Sequence, residues 1–276
     1  MKTRTASGPN PRVPLEGETK IPPEGGTTKL PSVSVCFPAY NEEATIEAVL
    51  REAQRLMVDS GLEYEILVCN DGSSDSTGVI IRRLAHEHPE LRVLEHETNR
   101  GIRATFEDLY AAATKEFVFL NSTDGQWDTA ILFELLPMTS DWDVIIASRK
   151  DKHYAAARRL ISWGFNLAPR LLFGVNTYDA GAVKLVRREI IERLPIISRS
   201  PFSEAERLIR AERAGYRITH LPVTTNPRHA GKSSGVSFAS VVRAIRDVIR
   251  VWRSRNDFCD ESGQGHQRKP DPSSGC

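Results

Sequence analysis

A chain of 276 residues with 40% hydrophobic content suffices for one large domain or two small ones with a buried core. Its formal net charge of +1 gives no overall pull toward nucleic acid, and no apolar run reaches the length that spans a bilayer. Lys2 and Arg4 have no apolar stretch behind them and the four cysteines (Cys36, Cys69, Cys259, Cys276) lack CxxC spacing, so cytosolic residence is the default expectation.

Residues 1–31 are crowded with Pro, Gly, Thr and charge and read as a disordered leader. Order is expected to begin at Val33–Phe37, a short strand. Pro38 ends it, and Asn41 caps a helix from about Ala44 to Val58, with Glu42 and Glu43 suiting its positive end. The plan then repeats. Tyr64–Cys69 is a strand, Asn70–Thr77 a turn and Val79–His88 a helix; Leu91–Glu95 is a third strand, followed by Asn99-Arg100-Gly101 and a helix through Ala113.

The next apolar run, Phe117 to Leu120, suits a buried strand and stops at Asn121. Asp124, Gly125 and Gln126 follow, then Trp127 and Asp128 and a short helix to Leu136. Alternating strands and helices predict an α/β fold, a mostly parallel sheet flanked by helices, with ligands collecting where strands end at their carboxyl edge. A carboxylate and an amide oxygen there could hold a hard divalent cation; an Asx-type turn without ligand explains the same residues.

Further on, Asp143–Ala147 is a strand ending at Ser148-Arg149, and Tyr154–Phe173 is a long amphipathic stretch. Ala180–Glu189 resembles a strand turning into a helix, Ser203–Ala214 a helix stopped by Gly215, and Tyr216–Thr224 a strand. A basic loop, Pro227–Gly235, precedes a helix whose apolar residues (Phe238, Val241, Val242, Ile245, Val248, Ile249, Trp252) trace one face. Arg243, Arg246, Asp247, Arg250 and Arg253 are expected on the other face, and the tail from about residue 256 reads as disordered.

Pro38-Ala-Tyr-Asn-Glu-Glu43, Asn70-Asp-Gly-Ser-Ser-Asp-Ser-Thr77, Asn99-Arg-Gly101 and Asp124-Gly-Gln126, in this order, resemble a family 2 glycosyltransferase of GT-A, Rossmann-like fold. Lys184–Glu189, Gly215-Tyr-Arg-Ile218 and Arg228, Gly231 and Ser233 narrow the likeness to polyprenyl-phosphate sugar transferases of the dolichyl-phosphate mannose synthase type. The division implied is a glycosyltransferase domain over 32–235, a carboxyl-terminal amphipathic helix over 236–255 and a tail over 256–276.

The resemblance implies roles residue by residue. Pro38, Tyr40, Glu42 and Asp71 match the nucleotide-sugar-binding positions, and Asp124 and Gln126 match metal ligands for Mg2+ or Mn2+. Arg149, Arg158, Ser162 and Ser233 match the groups that hold an acceptor phosphate. Arg228 and Lys232 lie in the loop that closes over the donor's phosphates, and Asp124 and Arg228 are the positions expected to serve catalysis. Glu206 matches a recurring helix acid. The chain departs from the family at Ser122, where the first metal aspartate usually stands, at Gly101-Ile102-Arg103 in place of Gly-Lys-Gly, and at Ser233-Ser234 in place of Ser-Lys.

The reaction implied is inverting, metal-assisted transfer of a hexose from a nucleotide sugar (GDP-mannose or UDP-hexose) to a polyprenyl phosphate. A soluble small-molecule acceptor is the alternative, and Ser122 keeps a metal-less binding protein as a third. Tyr154–Phe173 and Phe238–Arg253 are compatible with a membrane surface at the cytoplasmic face, and packing against the sheet, the favoured explanation, accounts for the same patterns.

Overall fold

A computed structural model describes residues 30–150, 167, 169–226 and 238–254. The leader, the tail, and the expectations for Arg158, Ser162, Arg228, Lys232 and Ser233 lie outside the described residues.

The first half alternates as expected: β1 (Val33–Ala39), α1 (Ile46–Ser60), β2 (Tyr64–Asn70), α2 (Thr77–Glu87), β3 (Leu91–Glu95), α3 (Ile102–Ala112) and β4 (Phe117–Leu120). Next come α4 (Ile131–Leu135), a 3-10 turn (Leu136–Ser140), β5 (Val144–Arg149), β6 (Lys184–Arg187), α5 (Arg188–Arg193), α6 (Ser203–Arg213), β7 (Ile218–Val223) and α7 (Phe238–Arg253). The strands form one seven-stranded sheet in the order β3-β2-β1-β4-β6-β5-β7. β6 runs against both neighbours, and the other strands share one direction.

Side-chain alternation explains why β1, β2 and β4 read as unbroken apolar runs. Val35, Phe37, Ile66, Val68, Phe117 and Phe119 pack with Ile46, Leu50 and Met57 of α1 and Ile81 and Leu84 of α2. Cys36, Leu67, Cys69, Val118 and Leu120 point the other way, against Leu109 and Tyr110 of α3. A strand buried on both faces has no polar side, so its sequence loses the period of two. Cys36 and Cys69 are core thiols, and burial pushes Cys69 up to about 12.

The structure corrects three local expectations. Asn41 does not cap α1. It adopts left-handed backbone, φ 54°, and its Oδ1 accepts from the Ser74 amide at 2.9 Å, while Thr45 takes the N-cap position. Pro38 does not end β1, which continues to Ala39; pairing with β4 has already stopped at Cys36, so the missing N–H costs nothing on that side. Asp247 is not on a solvated face of α7. It is buried and accepts from the amides of Arg199 and Ser200, both at 2.8 Å.

That last contact rotates the helix. Ala244, Val248 and Val251 pack on Phe173, Val175, Phe202, Ala205 and Ile209, whereas Ile245 and Ile249 from the same predicted apolar face are exposed.

Candidate active site

Since every strand but β6 points the same way, the loops after Ala39, Asn70, Glu95, Leu120, Arg149 and Val223 gather on one edge. The first three are laced together. The Glu42 amide donates to Thr77 Oγ1 (2.8 Å), the Glu43 amide to Asp75 Oδ2 (3.3 Å), and Glu43 Oε2 accepts from the Ser76 amide (2.9 Å). Gly72 lies at φ 65°, and a Cβ there would stand 2.5 Å from the Thr98 carbonyl carbon, so only glycine lets these two loops meet.

Asp71 ties the third loop in. Its Oδ1 accepts from the Arg100 amide (2.8 Å) and Oδ2 from the Gly101 amide (2.9 Å). His96 Nδ1 faces Oδ1 at 2.6 Å, and its Nε2 faces Asp108 Oδ2 at 2.8 Å. The carboxylate is thus buried within the protein's own amides; what it presents to the edge is the shape of the Asn99–Gly101 turn. Tyr40 is 46% exposed at the same edge, a ring with open area for stacking. Sequence reading missed His96, whose only signal is its place directly after β3.

The loop after β4 is built around Thr123 and Asp124. Thr123 Oγ1 donates to the Pro38 carbonyl (2.8 Å), and Thr45 Oγ1 donates to the Thr123 carbonyl (2.7 Å), so this loop is anchored on β1 and the start of α1. Asp124 Oδ1 accepts from Ser122 Oγ (2.6 Å) and from the Gln126 amide (3.1 Å). Gly125 at φ 71° makes the turn. Trp127 is buried, and the Arg149 guanidinium lies over its ring at 4.8 Å while donating to Asp179 Oδ2 at 3.0 Å. The Asn226 amide donates to the Gln126 carbonyl at 3.0 Å, which ties the segment after β7 to this loop.

Among the described residues no group of three or more His, Cys, Asp or Glu could hold a metal ion. Asp124 is a partly exposed carboxylate fixed in its plane by Ser122 and Gln126. Such a set fits a hard cation that takes few protein oxygens and fills its remaining positions with water and diphosphate. Carboxylate oxygen is the kind of donor that Mg2+ or Mn2+ takes, and Asp124 brings none of the soft ligands of a structural zinc site.

Behind the edge, β6 opens on a buried charge cluster that sequence reading missed. Lys184 pairs in register with Leu120, and its Nζ donates to the Ala180 carbonyl (2.5 Å) and to Glu204 Oε2 (2.7 Å). Tyr110 Oη donates to the same oxygen at 3.1 Å, and Arg207 Nη2 donates to Glu107 Oε1 at 2.5 Å. A lysine inside an apolar strand run was the available signal, since a buried ammonium needs a partner. Glu206, by contrast, is structural: it is fully buried and accepts from the Ile197 and Ser198 amides and from Arg210 Nε.

Comparison with known proteins agrees with this layout. The family model for Glycosyl transferase family 2 matches residues 34–194. Glycosyltransferase AglD of Haloferax volcanii is 29% identical over 85% of this chain, which spans 39% of that protein's length. An undecaprenyl-phosphate mannosyltransferase of Micrococcus luteus is 28% identical over 79% of this chain and 93% of its own. The crystal structure of glucosyl-3-phosphoglycerate synthase from Mycobacterium tuberculosis, in complex with Mn2+, UDP-glucose and phosphoglyceric acid, superposes with TM-score 0.64. That match has 20% sequence identity, covers 81% of this chain and 80% of the other, and establishes the shared GT-A fold. This chain belongs to glycosyl transferase family 2.

Proposed function

We propose that the protein moves a hexose from a nucleotide sugar to a polyprenyl phosphate with inversion at the anomeric carbon. The observation that carries the reading is the Arg149 guanidinium lying over Trp127, three residues beyond Asp124. On this reading the guanidinium, held over the segment that follows Asp124, would meet the acceptor phosphate. The undecaprenyl-phosphate mannosyltransferase, matched over most of its length, supports the lipid acceptor.

Asp124 and the Gln126 side chain would hold Mg2+ or Mn2+, which supplies Lewis-acid stabilisation of the diphosphate leaving group. Tyr40, with Pro38, Glu42 and the turn shaped by Asp71, would bind the nucleotide. Arg228 and Lys232 would add positive charge over the diphosphate, with Arg228 serving catalysis directly. An acceptor phosphate is largely dianionic at neutral pH, its second pKa being about 6, so it needs positioning rather than a general base. Arg149, Arg158, Ser162 and Ser233 would provide that positioning. A phosphate oxygen forms the new bond to the anomeric carbon while the bond to the donor's diphosphate breaks, and the nucleoside diphosphate leaves with the electron pair. A polyprenyl acceptor also implies peripheral association with a membrane surface.

The second reading is a soluble phosphorylated acceptor, favoured by the fold shared with the synthase crystallised with phosphoglyceric acid. The experiment supplies GDP-mannose or UDP-glucose with Mn2+, and either undecaprenyl phosphate or 3-phosphoglycerate, and identifies products by mass spectrometry. A hexosyl phosphate of the prenol is expected, and Asp124→Ala should lower its rate by about 10³-fold, the scale of losing a main electrostatic stabiliser. Product only from phosphoglycerate would replace the first reading with the second. Metal and donor binding without transfer to either acceptor would reject both.

A further inference from the structure

The apolar arc of α7 is wider than the face the protein covers. Ala244 and Val251 are 1% and 0% exposed, while Ile245 and Ile249 are 55% and 45% exposed. Ile245, Ile249 and Trp252 follow one another at i, i+4 and i+7, a single ridge along the helix. Trp252 is 38% exposed on that ridge.

Charge on the helix is sorted as sharply. Arg243, Arg246, Arg250 and Arg253 are all exposed, on the side flanking the ridge. The helix's single acid, Asp247, is turned inward, where two backbone amides and Arg250 Nη1 (2.6 Å) engage it. Among the described side chains of α7, those classed as exposed are therefore all apolar or cationic. Leu171 and Leu172, 72% and 42% exposed, directly precede Phe173, which packs in the same cluster as Ala244 and Val251. Arg170 beside them is exposed as well.

We propose that this ridge and its arginine row form the surface by which the protein docks on a bilayer of anionic lipid. The assignment rests on the proposed polyprenyl phosphate acceptor only for its purpose. Its physical basis is separate: a helix with an apolar strip beside a row of guanidinium groups matches the boundary between acyl chains and negative headgroups. A second copy of the chain fits less well. A two-fold contact through the ridge with the helices antiparallel would set each arginine row against its own equivalent.

The test is co-sedimentation of the full chain with vesicles of phosphatidylcholine alone or mixed with phosphatidylglycerol. Binding is expected to the mixed vesicles, to weaken in high salt, and to be lost in Ile245→Ser/Ile249→Ser. Arg246→Gln/Arg253→Gln should weaken partitioning roughly 30-fold at low salt. Both variants alter exposed side chains, so each should keep the parent's melting temperature and its turnover of a short-chain, water-soluble prenyl phosphate. Equal binding to neutral vesicles, no binding by the parent chain, or indifference of the isoleucine variant would overturn the proposal. So would sedimentation velocity showing a dimer that Ile245→Ser/Ile249→Ser converts to monomer. Vesicle binding by a chain that transfers to no prenyl phosphate would reject the acceptor and leave the docking surface standing.

Discussion

The two halves of the sheet's carboxyl edge are held by different kinds of bond. What distinguishes the β1–β4 side, beside the His96–Asp71 and Ser122–Asp124 pairs, is side chains that grip backbone: Asn41 holds the Ser74 amide, Glu43 the Ser76 amide, and Asp71 the amides of Arg100 and Gly101. On the β5–β7 side, side chains grip one another, as in Arg149–Asp179, Lys184–Glu204 and Ser148–His220. A bond to an amide fixes the course of the chain whether or not a ligand is present. An exchangeable ion pair such as Arg149–Asp179, with both side chains partly exposed, can trade its carboxylate for a phosphate oxygen. The half proposed for the donor is thus preformed, and the half proposed for the acceptor contains a cation that a ligand can recruit.

The sharpest way to break that contrast is at a side-chain pair too buried to exchange. Lys184 and Glu204 are 1% and 5% exposed, and the cluster already leaves Glu204 Oε1 and Arg207 Nε without hydrogen bonds. Lys184→Met removes one charge and leaves the other buried, which should cost about 3–5 kcal/mol of stability in urea unfolding. Burial alone would raise the Glu204 carboxyl, but Lys184 and Arg207 outweigh it and hold the group below the usual carboxylate range. A depressed carboxylate stabilises the fold above its unfolded value of about 4.3 and loses that contribution as acid protonates it. The unfolded chain is common to both proteins and cancels in the difference, so the gap should narrow as pH falls from the variant's Glu204 range, which loss of Lys184 moves upward, into the parent's depressed range. A gap that widens in acid would mean Lys184 does not stabilise the carboxylate.

The same contrast explains what sequence could and could not disclose. Asn70–Thr77 and Asp124–Gln126 are legible because turns and backbone-gripping side chains need particular residue types at fixed short spacings. Lys184 and Glu204 meet across 20 residues, and Arg207 and Glu107 across 100, so no local spacing announces them. The rotation of α7 was invisible for a related reason. Asp247 looks like a surface charge until the amides of Arg199 and Ser200, brought from another segment, turn it inward. Apolar pattern gives the width of a helix's hydrophobic arc, and only tertiary contacts decide which part of it is covered.

A smaller effect is expected at Asp71. Asn in its place keeps one acceptor oxygen and sets an NH2 group against an amide donor, a loss of about 2 kcal/mol for a charge-assisted contact. In a domain of this size that is about 4–8 °C of melting temperature. If Asp71 acts by shaping the Asn99–Gly101 turn, the ligand-free protein shows that drop, and KM for the donor rises more than kcat falls. An unchanged melting temperature with lost donor affinity would instead assign Asp71 to direct nucleotide contact, and the donor half would not be preformed at this point.

The finest test concerns Ser122, where the chain departs from its family's pattern. Ser122 Oγ donates to Asp124 Oδ1 at 2.6 Å, so the hydroxyl orients the carboxylate proposed to meet the cation and adds no charge of its own. Ser122→Asp would place a second carboxylate against the first. Without a cation the two repel and the fold loses on the order of 1 kcal/mol; with one, affinity depends on ligand charge and should rise on the order of tenfold. Ser122→Ala should move the other way by a similar factor, because Asp124 loses the bond that fixes its plane. Calorimetric titration of Mn2+ into protein saturated with a nucleoside diphosphate reads both changes without requiring turnover. Opposite shifts in the two variants would place the cation on Asp124. Equal affinities would put it elsewhere, because a charge added within hydrogen-bond distance of the ligating oxygen cannot leave that equilibrium unmoved.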